Sequence, residues 1–187
     1  MYLNYKNILV LVVLFFYPNA KSAENIFLYK GTFSRTIKIE ELNKFIETRK
    51  ASTKLKNLMK ITNLENKDLH DFLSYKIEVP LKTSSRLMNS KIGEVFLSRL
   101  SKIIYPNKIS NIKTSIKAIR SGIILSSYKN NESINLIDFF KEYPNKNIAI
   151  DLNALNKALQ KVESLKELID FYSNSPFQKL KDGRSST

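Results

Sequence analysis

The chain has 187 residues, 43% of them hydrophobic and 26% charged, a composition that supports one folded domain with a real core and excludes disorder as its default state. Cysteine is absent, which removes disulfides, zinc–thiolate sites, iron–sulfur clusters and thiol nucleophiles together. The formal charge of +14 comes from 25 Lys and only 6 Arg scattered along the chain. Arg is the usual residue for bidentate recognition of phosphates and bases, so specific nucleic-acid binding is not expected. The charge reads as solvated surface, with loose association to acidic envelope polymers or lipid head groups.

Residues 1–22 have the order of a secretory signal peptide. Lys6 lies in a short polar start, Ile8 to Phe16 is unbroken and apolar, and Ala20-Lys21-Ser22 places small residues where a signal peptidase reads, with the cut before Ala23. An apolar run of this length is too short for a bilayer, which needs about 20 residues. The expectation is an exported protein.

In the mature chain, Ile26 to Tyr29 and Phe33 to Ile39 predict a hairpin turning at Gly31, with Phe33, Arg35, Ile37 and Ile39 on one side. Glu40 and Glu41 open a helix carrying Leu42, Phe45 and Ile46 and closing at Arg49-Lys50. Ser52 caps a helix with Leu55, Leu58 and Met59, and Asn63 or Asn66 caps one with Leu69, Phe72 and Leu73. Ile77 to Val79 is an extended link before Pro80. From Ser90, the spacing of Ile92, Val95, Phe96, Leu100 and Ile103 predicts a helix that stops near Tyr105-Pro106.

Ile112, Ile116, Ile119 and Ile123 mark a further helix running through Gly122 to about Tyr128. Ser133 caps a short one with Leu136, Ile137 and Phe140, ended by Pro144. Asn147 to Ile150 is a third strand, and Asp151 caps a last helix carrying Leu152, Leu155, Leu159, Val162, Leu165 and Ile169. The fold class is therefore mainly α with a small β-sheet, made of the hairpin near 26–39 and a short strand near 147–150. It forms a single helical domain over residues 23–172, followed by a polar tail, 173–187.

No catalytic, cofactor-binding or metal-binding residue is assigned. A single imidazole, His70, excludes paired-histidine metal sites, and its flanks Asp68 and Asp71 read as an exposed helix face. No Gly-x-Ser-x-Gly elbow exists, and the four glycines are scattered. The Ser-x-x-Lys spacing of Ser110/Lys113 and Ser126/Lys129 lacks any companion motif and reads as chance in a chain rich in both residues. Glu40 and Glu41 answer the helix dipole, and Glu94 reads as a solvent-facing glutamate.

Taken in order, several short motifs carry a resemblance. Tyr29-Lys30-Gly31-x-Phe33 leads into Glu41-Leu42-x-x-Phe45; Ile92-Gly93-Glu94 follows, then Phe140-x-x-Tyr143-Pro144, and last Ile148-x-Ile150-Asp151-Leu152. From Glu24 to Leu168 the chain resembles the domain of unknown function that stands N-terminal to the catalytic domain in exported cyanobacterial α/β hydrolases. The family usually has Gly and an acid after the first helix, where this chain has Arg49-Lys50. The nucleophile elbow belongs to the family's following domain, so no catalytic residue carries over.

The resemblance implies a non-enzymatic accessory or binding module whose partner is a separately encoded α/β hydrolase or an acyl or lipid ligand, located in the periplasm, or in the thylakoid lumen of a cyanobacterium. Two other readings are kept: a cationic binder of anionic envelope polymer, lipid surface or nucleic acid, and a hydrolase with a site around Glu94 or His70.

Overall fold

Ile26 and Ile148 lie side by side in neighbouring parallel strands, although the whole domain separates them in sequence. The computed structural model describes residues 22–62, 65–109 and 111–159. Residues 1–21, which hold most of the expected signal peptide, Asn63, Leu64, Ser110, residues 160–172 and the tail 173–187 fall outside them. Strand β1 (Asn25–Lys30) forms an antiparallel hairpin with β2 (Phe33–Lys38), and Gly31 turns the chain at a φ of 61° that a side chain would disfavour. β6 (Asn147–Asp151) pairs in parallel with β1 on one side and antiparallel with β4 (Ile104–Pro106) on the other, giving the order β2-β1-β6-β4. A second, two-stranded sheet joins β3 (Ile77–Glu78) to β5 (Ser133–Ile134).

Strand alternation sends Ile26, Leu28, Ile37, Ile148 and Ile150 to one face, where they are buried. That face packs into one core with the helices. The opposite face carries the half-buried Phe27, Tyr29 and Tyr105 around Ala149, and Asn25 Nδ2 donates a hydrogen bond to Asn147 Oδ1 at 3.1 Å across the two parallel strands.

Eight helices are seen among the described residues. α1 (Ile39–Thr48) places Glu40 and Glu41 in its first turn, where their charge meets the helix dipole, and buries Ile39, Leu42 and Phe45. α2 (Thr53–Thr62) is capped by Ser52, whose hydroxyl accepts from the Leu55 amide at 3.1 Å and is itself bonded to the Glu41 carboxylate. α3 (Asn66–Ser74) buries Leu69 and Leu73. α4 (Leu81–Met88) and α5 (Lys91–Leu100) follow, then the long α6 (Ile112–Lys129), capped by Asn111, and α7 (Leu136–Glu142). α8 (Leu152–Leu159) begins where β6 ends, with Asp151 Oδ1 accepting from the amides of Asn153 and Ala154. The central buried side chains include Leu55, Leu97, Ile119 and Tyr143.

The architecture is the expected one, a mainly helical domain with a small sheet, but several local assignments change. The short apolar run Ile104–Pro106 is a strand and not the end of a helix, because it is the antiparallel neighbour of β6. Ser133 lies in β5, and the cap of α7 is Asn135, whose side chain accepts from the Asp138 amide at 2.8 Å. Asn66 is the first residue of α3, and its flanking Glu65 makes no side-chain cap. Ile39 starts α1 and does not end β2. α4 is not anticipated, since its inward face is built from Ser84 and Met88 and gives no apolar period. In α5 the buried stripe is Gly93 and Leu97, while Ile92 and Val95 stand 76% and 55% exposed. Val162, Leu165 and Ile169, expected on the last helix, lie outside the described residues.

Candidate functional site

The residues singled out for chemistry are dispersed. His70 is half-buried on α3: its Nδ1 lies 3.2 Å from Asp71 Oδ1, and its ring packs edge-on against Phe45 with centroids 6.4 Å apart. The imidazole thus sits in the seam between α3 and α1. Glu94 is exposed in the first turn of α5. Ser126 is fully buried, whereas Lys129, three residues on, reaches outward to Glu142 at 2.7 Å, so the second Ser-x-x-Lys pair points in opposite directions. In the first pair, Ser110 lies outside the described residues. Among the described residues, no group of three acidic or histidine side chains is placed to hold a metal ion. None of their helices is long and apolar enough to cross a membrane.

Two constellations do form, both at the carboxyl ends of the parallel strands β1 and β6. On the half-exposed face, Tyr29 donates its hydroxyl to Asn107 Oδ1 at 2.8 Å, and Tyr105 lies near both Tyr29 and Asp151. Burial, then the Asp151 carboxylate, then Tyr29 push the Tyr105 phenol above its ordinary value. The Tyr105 phenol therefore holds its proton more firmly than an ordinary tyrosine does.

On the core face, the hairpin runs past the helices that cover the rest of the sheet and leaves a groove of about 210 Å³. Leu28 of β1, Leu58 of α2 and Leu152 of α8 form its floor and walls. Phe33, 74% exposed, stands at its rim beside Ser34. Lys30 and Arg35 complete the lining. The cross-strand register explains their arrangement: Leu28 pairs with Arg35 and Lys30 with Phe33, so the two cations are diagonal neighbours on one face. Among the described residues neither has an acidic partner, and the only hydrogen bond of the Arg35 guanidinium goes to the Ser34 carbonyl, at 3.3 Å. The alternation in the sequence puts Phe33 and Arg35 on the same side of β2 as Ile37. Ile37 alone of the three is buried, because the groove begins where the core stops. An arginine inside an otherwise apolar alternation is the signal that could have pointed here.

The model of the family described as alpha/beta hydrolase of unknown function (DUF1400) matches residues 22–151. The chain belongs to that family. The match runs from the residue before Ala23 to the last residue of β6, and so takes in the complete four-stranded sheet and all but one wall of the groove, Leu152. Neither a curated protein nor a solved structure matches the chain.

The motifs that carry the resemblance to DUF1400 are framework. Gly31 turns the hairpin; Phe140 and Tyr143 are core; Ile148 and Ile150 are the inward residues of the central strand; Asp151 caps α8. In Ile92-Gly93-Glu94 the middle residue is the one in contact, packed against the Leu87 carbonyl of α4. Arg49 closes α1 in the left-handed conformation at φ 56°, donating its amide to the Phe45 carbonyl at 2.7 Å. That is the backbone geometry for which glycine is suited.

Proposed function

We propose that the chain is an exported, non-catalytic binding module of the α/β-hydrolase-associated type, acting through the groove beside the β1–β2 hairpin. The groove carries the reading. It is a concave, apolar surface with two cations that have no acidic partner among the described residues, set at the carboxyl ends of parallel strands, where open sheets usually hold their ligands. The chemistry of the remaining residues supports the same view. The sole imidazole is engaged with Asp71 and Phe45, and Ser126 is enclosed in the core. Export is supported by the apolar run Ile8 to Phe16, and by the fact that Ala23, first after the expected cut, is already a buried member of the core.

The test is expression of the full chain in a secreting bacterial host. The exported fraction yields a polypeptide beginning at Ala23, and this polypeptide leaves short- and medium-chain nitrophenyl esters unhydrolysed. Retention of Met1 in the cytoplasm would remove the export half of the reading. Ester turnover abolished by a point substitution in this chain would remove the non-catalytic half. Crosslinking in the exported compartment then identifies whether a separate α/β hydrolase occupies the Phe33 side of the molecule.

A further inference from the structure

We propose that the groove holds a single fatty acid, its alkyl chain against Leu28, Leu58 and Leu152 and its carboxylate between Lys30 and Arg35. The inference rests on the reading of the chain as a binding module and specifies what is bound.

The lining sets the ligand's body. Three leucines and one phenylalanine present hydrocarbon from four separate elements, and the hydroxyl of Ser34 is the one neutral side-chain polar group among the lining residues. A ligand that filled this surface with polar groups would leave them unpaired at a cost, whereas an alkyl chain pays nothing there. Size narrows the class. At about 210 Å³ the groove is below the range of roughly 300–1,000 Å³ typical of drug-sized ligands. A slender chain suits it better than a ring system or a two-chain lipid.

The charges set the ligand's head. Lys30 and Arg35 are brought together by the hairpin register, and the segment from Asn25 to Ile39 contains no acidic residue. Two like charges held as diagonal neighbours repel one another, and an anion placed between them relieves that repulsion while accepting charge-assisted hydrogen bonds from both. A carboxylate fits two donors approaching from different strands. The ring of Phe33 is largely exposed at the rim, and a chain lying in the groove would cover its inner face.

The experiment is calorimetric titration of the full mature chain with sodium dodecanoate below its micellar concentration, with dodecanol as the uncharged control. The expected result is saturable one-to-one binding of dodecanoate, with dodecanol weaker by about tenfold or more because it lacks the charged head. Lys30 and Arg35 are exposed, so the double variant Lys30→Gln/Arg35→Gln keeps the fold; it lowers dodecanoate affinity to that of dodecanol and leaves dodecanol unchanged. Phe33→Ala weakens both ligands together. Equal affinity for the two ligands in the native chain, or a double variant that binds dodecanoate as the native chain does, overturns the proposal. So does binding to phosphatidylglycerol vesicles without binding to the free acid, which makes the occupant a bilayer surface. A dimer that Phe33→Ala dissociates overturns it too, since a second copy is then the occupant. Ester turnover by the chain would count against the non-catalytic reading and leave dodecanoate binding untouched, so the two can fail separately.

Discussion

The backbone carbonyl of Leu87, at the end of α4, fills the space that a side chain at Gly93 of α5 would need. The obstacle is main chain, and it cannot rotate away as a side chain could. Ser90 fixes the approach: its hydroxyl donates to the same Leu87 carbonyl at 2.7 Å and accepts from the Gly93 amide at 3.0 Å. Gly93→Ala therefore forces α4 and α5 apart and costs about 2–4 kcal/mol, in the range of other overpacked or strained substitutions. Gly122→Ala, whose new methyl would meet the Phe139 ring at 2.9 Å, costs less because a ring edge can shift. Thermal melting of the two variants measures the difference, and equal midpoints would refute the argument.

Arg49 gives a change in the opposite direction. Its left-handed backbone at the end of α1 is one that a residue with a β-carbon adopts at a cost of roughly 1–2 kcal/mol. Arg49→Gly removes that strain while keeping the amide bond to Phe45, at the expense of a more flexible unfolded chain. The expected net gain is about 0.5–1 kcal/mol, read as a raised denaturant midpoint with an unchanged slope.

Tyr143 carries a cost in the core. It is fully buried, and its hydroxyl has no hydrogen-bond partner among the described residues. Burial raises its phenol well above the ordinary value of 10.0. The folded state thus keeps this proton where the unfolded state releases it, so the stability contribution is complete below pH 10.0 and falls as pH climbs beyond it. Tyr143→Phe leaves stability equal or raises it by about 1 kcal/mol, and flattens that alkaline decline. Denaturant titrations on either side of pH 10.0 check both effects.

Asp151 serves two structures at once, capping α8 and facing Tyr105. Asp151→Asn keeps a cap and removes the charge, so the Tyr105 phenol moves down while burial still holds it above 10.0. Asp151→Ala removes both and costs about 0.5–2 kcal/mol. Phenolate absorbance during an alkaline titration, compared with Tyr105→Phe, isolates the shift.

These residues also show what the sequence does and does not disclose. Ser52 and Asp151 are legible as caps because the amide each one satisfies lies two or three residues away. The hairpin and the strand at 147–150 are legible from alternation and from a short apolar run. Ile104 to Pro106 is not, since its strand character depends on β6, more than forty residues later. Ile92 and Val95 mislead because helical spacing locates an apolar stripe without saying whether a neighbour covers it. The groove is the least legible feature. It joins residues near 30, 58 and 152, and no local pattern connects them.

The pairing of β1 with β6 imposes an order of events on the molecule. The first strand of the domain has its parallel neighbour 122 residues downstream, and nearly every helix lies between them. A chain emerging N-terminus first exposes Ile26 and Leu28 long before Ile148 and Ile150 arrive to cover their flank. Closing so long a loop is slow, and until it closes the hairpin has little to rest on. Assembly of the sheet therefore waits for the end of the domain, and for that interval the polypeptide stays open. The same delay keeps the groove from forming until Leu152 has followed β6 into place.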